Sequence, residues 1–385
     1  MKKFRVLAAA LAASAFLAGC GGSDPGDQTP RVTYGHMVNF GDSLSDVGTY
    51  RVSFVEAAGG GYYSINGDTS AAIPHTNWTE FLAASLLLPA PCAAETGLNT
   101  ITNPQLPYPP VPPTFHDAGK ACVDYAQGGA RVTDPIGPGN AALFNINDPS
   151  TYGNAIGQLT IPVTTQIDNF LTNNGPTFAA DDLVTVFAGG NDLFMQAAAF
   201  NYMVAHGVPV QTAAQTVVTA MGQAGAELAG YVKGKILAAG ATRVVVVDLP
   251  DVSTTPYALA AEQASPGAQQ LVLQMAQTFN GQLSAGLAGT EANVMYVDLF
   301  TASEAQSANP AQYGLTNVTT PACDLAVVPS SLLCTTNTLL GASTQTPPPA
   351  DIQTYAYADS VHPTPYAYRL IAQLVSQQMA LQGWL

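Results

Sequence analysis

The stretch Met37-Val38-Asn39-Phe40-Gly41-Asp42-Ser43-Leu44-Ser45-Asp46 joins a short apolar run to a polar turn at a glycine. The run, 37–40, lacks clean alternation of apolar and polar positions, and so do four later ones, 121–125, 183–188, 243–249 and 293–299. Short β-branched runs of this kind suit parallel strands covered on both faces. Helical patterns lie between them, at 77–87, 164–171, 211–239 (Ala-rich and ending before Gly240), 269–287 and 365–381. Strands alternating with helices predict an α/β fold, a doubly wound parallel sheet of five strands with helices on both faces. Two stretches break the pattern as insertions. One is Pro-rich, 88–120; the other, 301–358, is rich in Thr, Ala, Asn and Pro. With no internal repeat and no linker to divide it, 33–385 is expected to form a single domain.

Hydrophobic residues make up 47% of the 385, ample for a large core, and charged residues only 10%, so the surface must be built largely from Ser, Thr, Asn, Gln and Gly. A net charge of −15 argues against a nucleic-acid partner, which requires clustered Lys and Arg. Lys2, Lys3 and Arg5 precede an apolar run, 6–17, of signal-peptide length and too short to span a bilayer comfortably. It ends in Leu17-Ala18-Gly19-Cys20, which resembles the lipobox of bacterial lipoproteins, where the thiol is lipidated and becomes the first mature residue. The expectation is a leader, 1–19, cleaved before Cys20, a polar tether, 20–32, and membrane attachment through the acyl chains of Cys20. An ordinary cleaved signal peptide with a chance cysteine is the alternative. Either leader makes the protein exported. Gly21 and Gly22 resemble the start of lipoproteins sorted outward, which places the anchor in the outer membrane.

Four further cysteines, an even number in an exported chain, suggest disulfides. Pairing Cys92 with Cys122 and Cys323 with Cys334 closes two short local loops, one in each insertion; four free thiols are the alternative. No close Cys pair with a nearby His suggests zinc.

Ser43 follows the first run at once, so it sits at the carboxyl end of a strand, where open α/β sheets bind ligands. A serine there is either a helix N-cap or a nucleophile, and a nucleophile needs a base. Among five histidines, His362 has a carboxylate three residues upstream, in Asp359-Ser360-Val361-His362. One loop could hold the imidazole by one ring nitrogen and turn the other toward Ser43. His36, His75, His116 and His206 have no such companion and read as structural or solvated. An oxyanion needs donors. Gly129 in Tyr125-Ala126-Gln127-Gly128-Gly129-Ala130 and Asn191 in Gly189-Gly190-Asn191-Asp192 both fall just past strand ends, on the edge that carries Ser43. Plain turn chemistry and a helix cap are the alternatives for them.

These four blocks, in this order across 38–364, resemble those of the GDSL esterase/lipase family, the SGNH hydrolases. The resemblance implies a three-layer, flavodoxin-like α/β/α fold. It also implies Ser43 as nucleophile, His362 as general base and acid, and Asp359 as the orienting acid. The N–H groups of Ser43 and Gly129 and the side chain of Asn191 would be the oxyanion donors, with Gly128 open as an alternative to Gly129. Asp124 stands where the family often has Asn. No Gly-x-Ser-x-Gly is present, which argues against an α/β-hydrolase. Acyl transfer of this kind needs no metal and no organic cofactor. The expected function is a lipase-like carboxylesterase acting on lipid or other acyl esters. The alternatives are a polysaccharide or cell-wall O-deacetylase, an acyltransferase and, from another class, a non-catalytic binding lipoprotein.

Overall fold

The computed structural model describes residues 32–67, 74–99, 109–341 and 354–385. The expected leader, Cys20 and nearly all of the tether lie outside the described residues. The strands are β1 (His36–Gly41), β2 (Glu95–Leu98), β3 (Val111–Phe115), β4 (Asp182–Phe187), β5 (Val244–Val247) and β6 (Val294–Val297). In chain order the longer helices are α1 (Trp78–Ser85), α2 (Val163–Asn173), α3 (Gly190–Ala205), α4 (Val210–Tyr231), α5 (Pro256–Ala264), α6 (Ala268–Leu287), α7 (Leu299–Ala308) and α8 (Pro365–Gln382).

Strands β1, β4, β5 and β6 form one parallel sheet in that spatial order. Alternate residues of each strand enter opposite cores, and both cores are apolar, so the runs show little alternation in sequence. Val38, Phe40, Val184, Val186, Val244 and Val246 pack beneath α2, α3, α4 and α6. Met37, Leu183, Phe187, Val245 and Val247 face α1 and α8. The result is the expected three-layer α/β/α arrangement.

Local signals set the helix ends. Asn77 caps α1 through Thr79 N, and the Glu80 carboxylate accepts the Asn77 N–H in return, a reciprocal capping box. Helix α4 runs on into a π turn, Val232–Leu237, and the chain leaves it through Gly240 at φ +89°.

Three features differ from the expected pattern or add to it. The sheet has four strands among the described residues, because the run 121–125 is reduced to a bridge. Asn39 N donates to Val123 O and Tyr125 N to Asn39 O, parallel to β1, with Asp124 the bridging residue. A 3₁₀ turn, Ala118–Lys120, precedes the run and cuts the pairing short. The run still occupies the outer edge of β1, so the spatial order of the five runs is 2-1-3-4-5, the flavodoxin-like order. Second, the Pro-rich insertion contains an antiparallel hairpin of β2 and β3. Its second strand, Val-Pro-Pro-Thr-Phe, carries two prolines that mask it in sequence and keep it at an edge. Third, the later insertion begins only after α7, which continues the α/β alternation from β6. Both expected disulfides, Cys92–Cys122 and Cys323–Cys334, are formed.

Candidate active site

The carboxyl ends of the 121–125 run, β1 and β4 lie side by side, and the site is assembled on them. Gly41 ends β1 where a Cβ would stand 2.2 Å from Phe187 O, so only glycine lets the strand pass β4 at this point. The chain then turns, with Ser45 N and Asp46 N both donating to Asp42 O, and presents Ser43. Ser43 caps none of the described helices; the next helical segment begins at Ser53.

His362 lies across from it. Its Nε2 is 2.8 Å from Ser43 Oγ, and its Nδ1 is 2.8 and 2.9 Å from the two oxygens of Asp359. With a proton on Nδ1 donated to the carboxylate, Nε2 is left as an acceptor for the serine hydroxyl. Asp359 also takes the N–H groups of Val361, His362 and Ser331. Burial alone would raise the Asp359 carboxyl. The facing imidazole and these donors outweigh it and hold the group well below the usual carboxylate range. Tyr63 lies against the far side of the imidazole, ring centroids 4.9 Å apart.

The third and second blocks close the site. Gly189, at φ +116°, turns the chain from β4 into α3, so Asn191 sits inside the first turn of the helix rather than at its cap. Its side-chain amide donates one N–H to Ala130 O at 2.8 Å, which fixes the orientation of the other. Gly128 N is already bound to Asp46 Oδ2 at 2.8 Å. Gly129, at φ +79°, follows it. Asp46 also accepts the N–H groups of Gly48 and Thr49, so this carboxylate ties the first block to the second. Burial pushes Asp42 up to about 7 and Asp46 to about 6. Asp124 accepts Asn39 Nδ2 and Ala126 N, and burial raises its carboxyl well above the ordinary range.

Ser43, Asn191 and His362 line one cleft, with Asp359 behind His362; Gly129 does not line it. Of the remaining walls, Asp42, Leu44 and Val361 belong to the sequence blocks around Ser43 and His362, whereas Phe194, Val252 and Thr255 were not singled out. Phe194 could have been inferred from its place one helical turn beyond Asn191; Val252 and Thr255 carry no local signal. The other histidines sit elsewhere. His36 is beside Asp182, His75 against Phe81, His116 on Thr96 and His206 on Tyr202. Among the described residues no cluster of three or more His, Cys, Asp or Glu could hold a metal ion, and no helix is long and apolar enough to cross a membrane.

A parallel α/β/α sandwich with Ser43, His362 and Asp359 aligned at the end of its first strand has the architecture of an SGNH hydrolase. The chain belongs to the GDSL-like Lipase/Acylhydrolase family, which matches residues 37–375. It is similar to Esterase EstA of Pseudomonas aeruginosa and to Esterase EstA of Pseudomonas putida, at 33% identity over 132 residues in each case. The aligned stretch is 34% of this chain and 18% of each relative, so the chain spans a small part of their length.

Proposed function

We propose that the protein is a serine ester hydrolase that works through an acyl-enzyme on Ser43. The observation that carries this reading is the 2.8 Å approach of His362 Nε2 to Ser43 Oγ, with Nδ1 on Asp359. Ser43 Oγ attacks the ester carbonyl as His362 takes its proton. The carbonyl oxygen becomes an oxyanion that accepts from the N–H of Ser43 and from Asn191 Nδ2, the two expected donors that line the cleft. Gly128 N is taken by Asp46 and Gly129 does not line the cleft, so neither glycine is assigned as a donor. His362 then protonates the leaving alcohol. Water, deprotonated by His362, cleaves the acyl-enzyme to the carboxylic acid and restores Ser43. Asp359 keeps the imidazole in the required tautomer throughout. The cycle needs no metal or cofactor.

The cleft is walled largely by apolar side chains, among them Leu44, Phe194 and Val252, which suits the acyl part of a lipid or other carboxylic ester. O-deacetylation of polysaccharide is the second reading. The test is reaction with a fluorophosphonate followed by hydrolysis of p-nitrophenyl esters from acetate to palmitate. Labelling at Ser43 and turnover of the longer esters are the expected results. No label and no turnover on any ester would sink the hydrolase reading. Turnover confined to acetate would point instead to an O-deacetylase.

The chain is further proposed to be exported and lipid-anchored at the cell envelope through Cys20. The two disulfides fit an oxidising compartment. Cys20→Ser is expected to move the protein from the membrane to the soluble fraction, read by fractionation; unchanged membrane association counts against the anchor.

A further inference from the structure

We propose that the loop closed by the Cys323–Cys334 disulfide is a positioning device for Asp359, acting through the backbone N–H of Ser331. The inference rests on the triad reading above.

Ser331 N donates to Asp359 Oδ2 at 2.8 Å, and both residues are buried. The other N–H donors to this carboxylate, Val361 and His362, belong to its own turn. They fix the carboxylate relative to the loop, but they move with the loop. Ser331 N–H is a reference from a distant segment, and it lies on the oxygen that also accepts from His362 Nδ1.

The loop that carries it is held at both ends of the contact. On one arm, Ala322 N donates to Tyr357 O and Cys323 N to Ala358 O, so this arm is bonded to the residues just before Asp359. On the other arm, Asn66 donates its amide to Ser331 O and Cys334 O and its N–H to Cys334 O. Gly61 N donates to Leu332 O. The disulfide joins Cys334, three residues past Ser331, to Cys323, whose N–H is bonded to the neighbour of Asp359. The path from Asp359 through Ala358, Cys323, the disulfide and Cys334 back to Ser331 is therefore closed. A carboxylate that loses one buried donor can rotate, and the imidazole then spends less time aligned on Ser43 Oγ. The loss falls on turnover, because Ser331 is absent from the cleft lining.

Ser331→Pro removes the N–H. The position suits it: residue 331 opens the 3₁₀ turn Ser331–Leu333, and Ser330 before it is extended at φ −154°, ψ 162°. Ser331→Ala keeps the N–H and removes only an Oγ with no hydrogen-bond partner among the described residues. On the best p-nitrophenyl ester, Ser331→Pro is expected to lower kcat about 10- to 100-fold, the scale of one hydrogen bond to a charged group. KM stays near wild type. The acid limb of kcat/KM moves to higher pH, because a carboxylate with one donor fewer directs more of its charge at the imidazolium that faces it. Ser331→Ala keeps the wild-type pH profile. The double variant Cys323→Ser/Cys334→Ser follows Ser331→Pro, while Cys92→Ser/Cys122→Ser, which opens the other disulfide, keeps the wild-type profile. In the ¹⁵N-labelled wild type the Ser331 amide shift follows the acid limb of activity.

A folded Ser331→Pro protein with unchanged kcat and pH profile overturns the proposal, and so does a Ser331→Ala protein as impaired as the proline variant. Should the variants not fold, a Ser331 amide shift that is flat with pH overturns it in the wild type. Activity in the wild type alongside any of these outcomes leaves the hydrolase reading standing, whereas a wild type inactive on every ester removes both.

Discussion

Ser43→Ala lowers kcat on any ester the enzyme accepts by about 10⁶-fold, the scale found when the nucleophile of a catalytic triad is removed. The methyl group leaves His362 Nε2 with no hydroxyl to deprotonate, and no acyl-enzyme forms. KM stays near wild type, because the cleft walls and oxyanion donors are untouched. His362→Ala costs about as much, since the hydroxyl then has no base, and the double variant is no worse than either single one because the pair acts as a unit. Asp359→Ala costs less, as the imidazole retains some population in the productive tautomer. Steady-state kinetics on a p-nitrophenyl ester, with circular dichroism to verify the fold, measures all four. Ser43→Ala turning over at a tenth of the wild-type rate or more would refute Ser43 as nucleophile.

Asn191→Ala lowers kcat by about 10²–10³-fold, the usual cost of one oxyanion donor. Under the proposed mechanism the side-chain N–H left by the bond to Ala130 O serves the developing charge, so the loss is expected in the transition state rather than in binding, with little change in KM. The same substitution leaves Ala130 O without its partner, a stability cost of about 1 kcal/mol. A thermal melt separates the effects. A melt lowered by a few degrees with kcat unchanged would make Asn191 a strut between α3 and the second block, and nothing more.

These predictions depend on residues whose legibility differed. The juxtaposition of Ser43, Asp359 and His362 was readable because the chemistry proposed for them needs particular side chains at particular places. A serine directly after an apolar run marks a strand end, and Asp-x-x-His puts an acid and a base in one loop. The choice between Gly128 and Gly129 was not readable, since both glycines can make the turn. The bond from Gly128 N to Asp46 engages one of them, and that bond spans 82 residues. Asp46 looked like one more polar residue after the nucleophile, yet it fastens two blocks together. The prolines of β3 hid a strand because local preference and tertiary pairing disagree there.

The sequence by itself determined the alternation of strands and helices and the identities of the groups able to do chemistry. Periodicity, turn residues and side-chain type are local properties, and all of these follow from them. Only the tertiary structure decided the spatial order of the strands, the pairing of the four cysteines and the arrival of Ser331 N–H on Asp359. The physical reason is that every residue except proline carries a backbone N–H. Which one reaches a buried carboxylate is set by how distant segments pack, and no residue name records it.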